Sequence, residues 1–512
     1  MNPKLERFYA QFPESGPPEM YYNSETQDFL YKQTGGNASD RKWIHVGKES
    51  ACALLSRAGI SAARGKDGAM PPAMEYLLKL MDCPDSTVQF SGSLGGYMPG
   101  FHRMPGGTNA LITEGPEIPK AIRGDCSYIL QIMESMFGEG PVKYVHAWNK
   151  YSMEMLVRGI TRGMPVLIFV GPRNCGKSFY QDYILTPLLG NRYTDGNPWA
   201  EGRTGGPQNK EMLSKEHLRV SDPKLSPLPA ARKELASKVK EVAANNGSQY
   251  RKMFTDAVTL STFLRVTMSL NHETESMAGL FAMTDDISDK TMLFRTEMAD
   301  WPEVCDTIES REAFKLKVIS QVPAYRWWLE NVFVVPYEMT RDPATKQPAR
   351  FGINCWHDTS LKHRLLEVSP EYKLLELVRQ AYFCDDEPVK SLSVSATELE
   401  KALTSDDSPV RYAARSLLTH GSRVRTYLER LSKEFPDHVY RWRTEKARGW
   451  KLIDLDSLID KVAVSGYYDS PEEEVGCKAG AKAEAKVEDK IEIKAEVAEK
   501  RPRGRPPRRK GE

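Results

Sequence analysis

Hydrophobic positions fall into short blocks whose spacing changes along the chain. Pro165-Val-Leu-Ile-Phe-Val170 is an unbroken, β-branched apolar run, the pattern of a parallel strand buried on both faces. Phe179-Tyr-Gln-Asp-Tyr-Ile-Leu-Thr-Pro-Leu-Leu189 follows with apolar residues at helical spacing. Two more strand-like runs come later: Glu216-His-Leu-Arg-Val-Ser-Asp222, with Leu218 and Val220 apolar, and Thr262-Phe-Leu-Arg-Val-Thr-Met-Ser-Leu-Asn271. Arg219 and Arg265 interrupt these runs, so either those ends face solvent or the strand limits lie a residue or two away. Upstream, Phe29-Leu-Tyr31 and Trp43-Ile-His-Val46 have the look of two strands joined by the turn-rich Gly35-Gly-Asn-Ala-Ser-Asp40. Residues 126–160 are helical in pattern. Ser395-Ala-Thr-Glu398 opens a helix with a capping box, further helical patterns cover 410–418 and 422–434, and Val439–Arg443 with Gly449–Ile453 forms a hairpin pair. Helix, helix, helix, hairpin is the layout of a winged helix, with Arg423, Arg425, Arg441 and Arg443 as its phosphate contacts; a small helical packing domain shares the pattern.

The expected organisation is an α/β chain in six parts: an N-terminal α+β domain (1–125), a helical collar (126–160), a P-loop core (161–345), a C-terminal helical or winged-helix-like domain (346–465), a disordered linker (466–500) and a basic tail (501–512). The linker is Glu, Lys and Ala with almost no large apolar residues, so it cannot bury a core. A chain of 512 residues with 40% hydrophobic and 27% charged content is of ordinary soluble composition. No apolar run reaches the roughly eighteen residues of a membrane span, and the start of the chain lacks the apolar stretch of a signal peptide. The eight cysteines are scattered without Cys-x-x-Cys spacing, which points to free thiols and no structural zinc. A cytoplasmic location is expected, nuclear if the source is eukaryotic. A net charge of only +2 means that nucleic-acid affinity must come from local patches.

The candidate chemistry begins at Gly171, Pro172, Arg173, Asn174, Cys175, Gly176, Lys177 and Ser178, the G-x-x-x-x-G-K-[ST] phosphate-binding loop. Backbone N–H groups wrap a triphosphate where Gly171 and Gly176 carry no side chain. Lys177 reaches the β- and γ-phosphates, and the Ser178 hydroxyl joins the Mg²⁺ shell. Strand before, helix after is the context the motif requires. ATP hydrolysis needs two further groups. Asp222 ends its strand where α/β ligand sites form and is the candidate acid for Mg²⁺ and the attacking water. Asn271 ends the other strand and can sense the γ-phosphate.

With those residues in place the chain resembles superfamily 3 helicases, ring-forming AAA+ relatives of small viruses, phages and mobile elements, and within them the phage and prophage primase-helicase branch. Thr204-Gly-Gly-Pro-Gln-Asn-Lys210 and Ser288-Asp-Lys-Thr-Met-Leu-Phe-Arg295 resemble recurring phrases of that branch. The resemblance covers roughly 130–365 and implies a homo-hexameric ring using ATP and Mg²⁺. It implies a DNA-gripping segment carrying Lys238, Lys240, Arg251 and Lys252, with Lys252 in the pore on single-stranded DNA, and Arg295 as a finger reaching a neighbour's ATP; a surface salt bridge is the other use of Arg295. The chain departs from the family at Ser221-Asp222, where members often carry two acids, and it has no recognisable primase module, so priming activity is not carried over and a separate primase or polymerase is only a candidate partner.

Arg501-Pro-Arg-Gly-Arg-Pro-Pro-Arg508 resembles an AT-hook. Gly504 lets the backbone lie on the minor-groove floor, Arg503 and Arg505 point along a narrow A·T groove, and Pro502 and Pro506 keep the chain extended. A generic basic tail or a nuclear-import signal has similar composition. The expected function is an ATP-driven DNA helicase or replication-initiation ATPase of a phage, prophage or mobile element. A DNA-binding adaptor that uses its ATPase as a switch is the alternative, and a nucleotide kinase is a weaker third reading.

Overall fold

In this computed structural model, the described residues are 18–458 except 34–41, 65–67, 204–209, 245–247, 251–257, 344, 368, 384–390, 419–422, 444–447 and 456. Contacts divide the chain into Met1–Gly466 and Tyr467–Glu512, and every described residue lies in the first unit. The linker and basic tail therefore lie outside the described residues, as does most of Thr204–Lys210.

The N-terminal region forms one sheet from β1 (Met20–Asn23), β2 (Asp28–Lys32), β3 (Trp43–Val46) and β4 (Thr87–Val88), ordered β3-β2-β1-β4. The expected strands at 29–31 and 43–46 are β2 and β3, paired antiparallel with Phe29 opposite Val46. Alternation sends Phe29 under the helices Lys48–Arg57 and Pro72–Asp82 and sends Leu30 to the other face, against Val88 and Leu111. A second small sheet, ordered β5-β7-β6, comprises β5 (Phe90–Gly92), β6 (Gly100–Arg103) and β7 (Asn109–Ile112).

The central sheet is built from β8 (Val166–Gly171), β9 (Tyr193–Asp195), β10 (His217–Ser221), β13 (Arg265–Asn271) and β14 (Thr291–Arg295). A separate antiparallel hairpin, β11 (Ser248–Tyr250) with β12 (Val258–Leu260), lies between β10 and β13 in sequence. The central strands are all parallel, in the order β14-β8-β13-β10-β9. Each face is covered. Leu167 and Phe169 join the core made with the helices Ser127–Phe137, Glu139–Val157 and Ile308–Asn331. Val166, Ile168 and Val170 join the core made with Pro229–Ala244 and Thr359–Glu367. This is a three-layer α/β/α sandwich, and double coverage explains why β8 is apolar throughout.

Three details differ from the sequence reading. The helix after the loop is not uniform: Lys177–Phe179 is α-helical, Tyr180–Leu185 is π-helical and Thr186–Leu188 returns to α. Pro187 has no N–H for the ladder, and the Thr186 hydroxyl donates to the Gln181 carbonyl at 2.8 Å, which favours the wider turn. The sensor strand starts at Arg265, and Arg265 is buried rather than facing solvent. Its guanidinium donates to Ser152 Oγ (3.0 Å) and to the carbonyls of Arg162 (3.2 Å) and Leu264 (3.0 Å), and burial pushes its pKa down to about 9. Arg219 is half-buried, ion-paired to Asp182 and stacked over Tyr193.

The C-terminal region packs the helices Pro370–Tyr382, Ala396–Thr404, Arg411–Leu417 and Arg423–Glu434 around Leu374, Leu399, Leu428 and Trp450. Its sheet, ordered β15-β17-β16, comprises β15 (Ser391–Val394), β16 (Val439–Arg443) and β17 (Arg448–Ile453). The Ser395 and Glu398 capping box forms.

The β5-β7-β6 sheet is held to the central one by a buried ion pair. Arg192, just before β9, donates Nε to Glu216 Oε2 at 2.8 Å and Nη1 to Ser93 Oγ at 2.7 Å, while Glu216 also accepts from the Gly96 N–H at 2.8 Å. Glu216 is fully buried. Glu216→Ala leaves the Arg192 charge in place without its counter-ion and is expected to cost about 3–5 kcal/mol, visible as a lower denaturant midpoint.

Candidate nucleotide site

The phosphate loop leaves β8 at Gly171 and turns through Asn174 (φ +61°) and Gly176 (φ +107°) into the helix at Lys177. The two glycines are needed for reasons the motif does not spell out. A Cβ on Gly171 would meet Thr296 Oγ1 at 2.2 Å and Thr296 O at 2.3 Å. Gly171 thus makes room for the segment leaving β14, not for a ligand. Gly176 takes a left-handed turn that a side chain would strain.

Lys177 is buried and spends its ammonium on the carbonyls of Gly171 (3.1 Å) and Pro172 (2.6 Å) and on Asn271 Oδ1 (3.4 Å). Asn271 reaches it because β13 lies next to β8 with Asn271 opposite Gly171. Cys175 is buried, its sulfur 3.3 Å from Thr296 Oγ1. Arg173 is ion-paired with Glu273 at 2.9 Å.

The acid position differs from expectation. Ser221, not Asp222, sits beside the loop helix: the hydroxyls of Ser178 and Ser221 are 3.2 Å apart. Asn197 grips the Ser221 backbone, accepting its N–H at 2.8 Å and donating to its carbonyl at 2.7 Å. Asp222 follows the strand at φ +45°, exposed, its N–H donating to the Ser269 carbonyl at 3.1 Å. The Ser221-Asp222 spelling already offers a hydroxyl that can bind Mg²⁺ directly or through water; strand alternation with Arg219 is the signal that favours Ser221 over Asp222. The donor set suits Mg²⁺, a hard cation that takes one or two protein oxygens and completes its shell with phosphate and water. Among the described residues no group of three or more His, Cys, Asp or Glu is placed to hold a metal without such help.

Arg295 ends β14, opposite Val170, and is ion-paired with Glu297 at 3.0 Å. Lys238 and Lys240 lie on the helix Pro229–Ala244, and both are engaged within the chain: Lys238 with Glu234 (2.7 Å) and the Trp199 carbonyl (3.1 Å), Lys240 with Asp286. Arg251 and Lys252, between β11 and β12, lie outside the described residues, as do Arg503, Gly504, Arg505 and Pro506.

Two hydrogen-bonded systems fix the loop helix from below. Gln181 Nε2 donates to Thr267 Oγ1 (2.7 Å), which contacts His217 Nε2 (2.7 Å), while His217 Nδ1 contacts Thr186 Oγ1 (2.7 Å). Since Thr186 donates to the Gln181 carbonyl, the ring closes if His217 is neutral with its proton on Nδ1. Burial pushes the His217 pKa down to about 3, consistent with that form. The second system runs from Tyr180 OH to Asn149 Oδ1 (2.8 Å), from Asn149 Nδ2 to Tyr325 OH (3.0 Å), and on to His146 Nδ1 (2.8 Å). It joins the loop helix to Glu139–Val157 and Ile308–Asn331.

No protein-family model matches the chain, and no curated protein matches it. Among solved structures it is similar to the apo structure of the NrS-1 C terminal region (305-718), with TM-score 0.47 and 11% identity over 85% of this chain and 95% of that one. It is also similar to the SCCmec type IV Cch active helicase, with TM-score 0.39 and 10% identity over 88% and 95% of the respective chains. No helix among the described residues is long and apolar enough to cross a membrane.

Gly171→Ala is expected to displace Thr296 and the loop together, costing about 1–3 kcal/mol. Gly140→Ala, in the first turn of Glu139–Val157 where an added methyl meets nothing within 4 Å, should not lower the melting temperature; thermal melts compare the two.

Proposed function

We propose that the chain is an ATP-driven DNA helicase or replication-initiation ATPase of the AAA+ type from a phage, prophage or mobile element, working in the cytoplasm of a host cell as a ring of identical subunits. The observation that carries the nucleotide part is the meeting of Lys177, at the start of the loop helix, with Asn271, at the end of the adjacent strand. A lysine and a carboxamide converging on a glycine loop at the carboxyl ends of parallel strands suit a terminal phosphate. The loop N–H groups of 173–178 would cradle the phosphates, and Ser178 and Ser221 would hold Mg²⁺, with Asp222 beside them. ATP with Mg²⁺ supplies the free energy. The chain's own part is to bind, orient and sense the terminal phosphate, and Arg295 of a neighbouring subunit is the proposed finger.

The DNA part rests on basic segments. The hairpin β11–β12 flanks Arg251 and Lys252, the proposed pore contacts on single-stranded DNA, and Lys238 and Lys240 stand on the helix before it. The C-terminal helices and the sheet β15-β17-β16 support the winged-helix reading. The helix Arg423–Glu434 with β16 and β17 carries Arg423, Arg425, Arg441 and Arg443; of these Arg425 and Arg441 share Glu429, and Arg441 stacks on Trp450. The tail is proposed to hold A·T-rich duplex. A separate primase or polymerase would supply synthesis.

Two observations favour a second reading, a DNA-bound adaptor that switches without unwinding: the hydroxyl of Ser221 in the place of an acid, and the intramolecular pairing of Lys238 and Lys240. Strand displacement on forked DNA separates them, since ATP turnover without displacement fits only the adaptor.

Lys177→Ala is expected to lower DNA-stimulated ATP hydrolysis by at least about a hundredfold while tail-dependent DNA binding persists; unchanged turnover would sink the nucleotide assignment. Ser221→Ala should raise the Mg²⁺ concentration for half-maximal turnover by about tenfold, measured by Mg²⁺ titration of the ATPase rate.

A further inference from the structure

Arg173 and Glu273 close one side of the loop. Nη2 of Arg173 lies 2.9 Å from Oε1 and 3.1 Å from Oε2 of Glu273. Arg173 is a loop residue, and Glu273 stands just past Asn271, whose carboxamide holds Lys177. The two side chains are 70% and 47% exposed, so the pair is weak and opens at little cost. A guanidinium takes a phosphate with the same fork geometry as a carboxylate.

Glu273 also begins a segment with somewhere to transmit its position. The chain turns there into the short helix Thr274–Ala278. Met277 and Leu280 are buried in one core with Leu235 and Val239 of the helix Pro229–Ala244. Arg232 of that helix donates from Nε to the Leu280 carbonyl at 2.6 Å. In sequence the helix precedes the β11–β12 hairpin.

We propose that the Arg173–Glu273 pair is a nucleotide-exchanged latch, in which Arg173 passes from the Glu273 carboxylate to the terminal phosphate of a bound nucleoside triphosphate and so releases residues 273–280 to move the helix Pro229–Ala244. Glu273 is a positioning residue: it acts through Arg173, as the phosphate's competitor for one guanidinium. The proposal rests on reading the loop as a triphosphate site. A diphosphate lacks the terminal group and gains less from the exchange.

The test is equilibrium binding of a fluorescent non-hydrolysable ATP analogue and of a fluorescent ADP to the full chain, as wild type, E273Q, R173A and the double variant. E273Q is expected to tighten the triphosphate analogue by about twofold to fivefold and to change ADP less. R173A should weaken the analogue, and E273Q should have no further effect in that background. An equal change for both nucleotides, no change, or an E273Q effect that persists without Arg173 overturns the latch. A merely structural role for Glu273 moves both nucleotides alike. R173Q replaces R173A if thermal melts show that the alanine variant does not fold. Lys177→Ala run in parallel keeps the two ideas apart: retained analogue binding there overturns the triphosphate reading, whereas lost binding with a silent E273Q overturns the latch alone.

Discussion

One face of β13 is a polar row, and the geometry of the loop depends on it. Val266, Met268 and Leu270 face the apolar core shared with Pro229–Ala244. Between them Arg265, Thr267, Ser269 and Asn271 point the other way, under the loop helix. Each rung has its own partner: Arg265 with Ser152, Thr267 with Gln181 and His217, Ser269 with Ser221 at 3.5 Å, and Asn271 with Lys177. A one-residue slip would turn this row into the apolar layer and the apolar row into the loop helix. Register is therefore fixed twice over, by apolar burial on one side and by hydrogen-bond satisfaction on the other. The fixed register brings the carboxamide of Asn271 to the ammonium of Lys177.

A polar row in the middle of a doubly covered sheet is costly unless it is satisfied. The closed ring through Gln181, Thr267, His217 and Thr186 meets that demand with each hydroxyl donating once and accepting once. It also ties the π-helical turn of the loop helix to two strands, β10 and β13. The chain from Tyr180 through Asn149 and Tyr325 to His146 ties the same turn to two helices of its own layer. Both systems start from adjacent residues, Tyr180 and Gln181, directly behind Lys177 and Ser178. The helix that follows the loop is held on both sides, by the sheet and by the helices of its own layer. The Arg173–Glu273 pair at the rim is exposed instead.

Much of this was readable in the chain. The apolar run before the loop, the loop itself and the strand ending in Asn271 are local patterns with mechanical reasons behind them. The capping box at Ser395 and the strands at 29–31 and 43–46 were legible for the same reason. What escaped reading depended on contacts between distant segments. The alternation Arg265-Val-Thr-Met-Ser-Leu-Asn271 is plain in the sequence, but a polar row inside a sheet makes sense only when Gln181, His217 and Ser152 are seen to meet it. Gly171 is needed for Thr296, more than a hundred residues away in the chain, so its motif role hid its packing role. The π-helical turn needed both Pro187 and the Thr186 hydroxyl, and a periodicity reading weighs neither. Between Ser221 and Asp222 residue type favours the acid, and only position on the strand favours the hydroxyl.

That last point bears on the chemistry. A carboxylate beside Ser178 would add a negative charge next to a bound cation, whereas the Ser221 hydroxyl adds an oxygen without the charge. Three acids at the ends of the central strands are exposed or paired: Asp222 is exposed at a left-handed backbone position, Glu273 is paired with Arg173, and Glu297 with Arg295. Two of these three are held by arginines at the loop end of the sheet, the same groups that a triphosphate would attract. An anionic ligand that draws those arginines also frees their carboxylates. Under the proposed latch, a bound triphosphate that takes Arg173 from Glu273 would free that carboxylate at the rim of the loop. The polar row beneath has buried partners within the sheet and the loop helix, whereas the charged rim is exposed, so substitutions can alter the rim without disturbing the row.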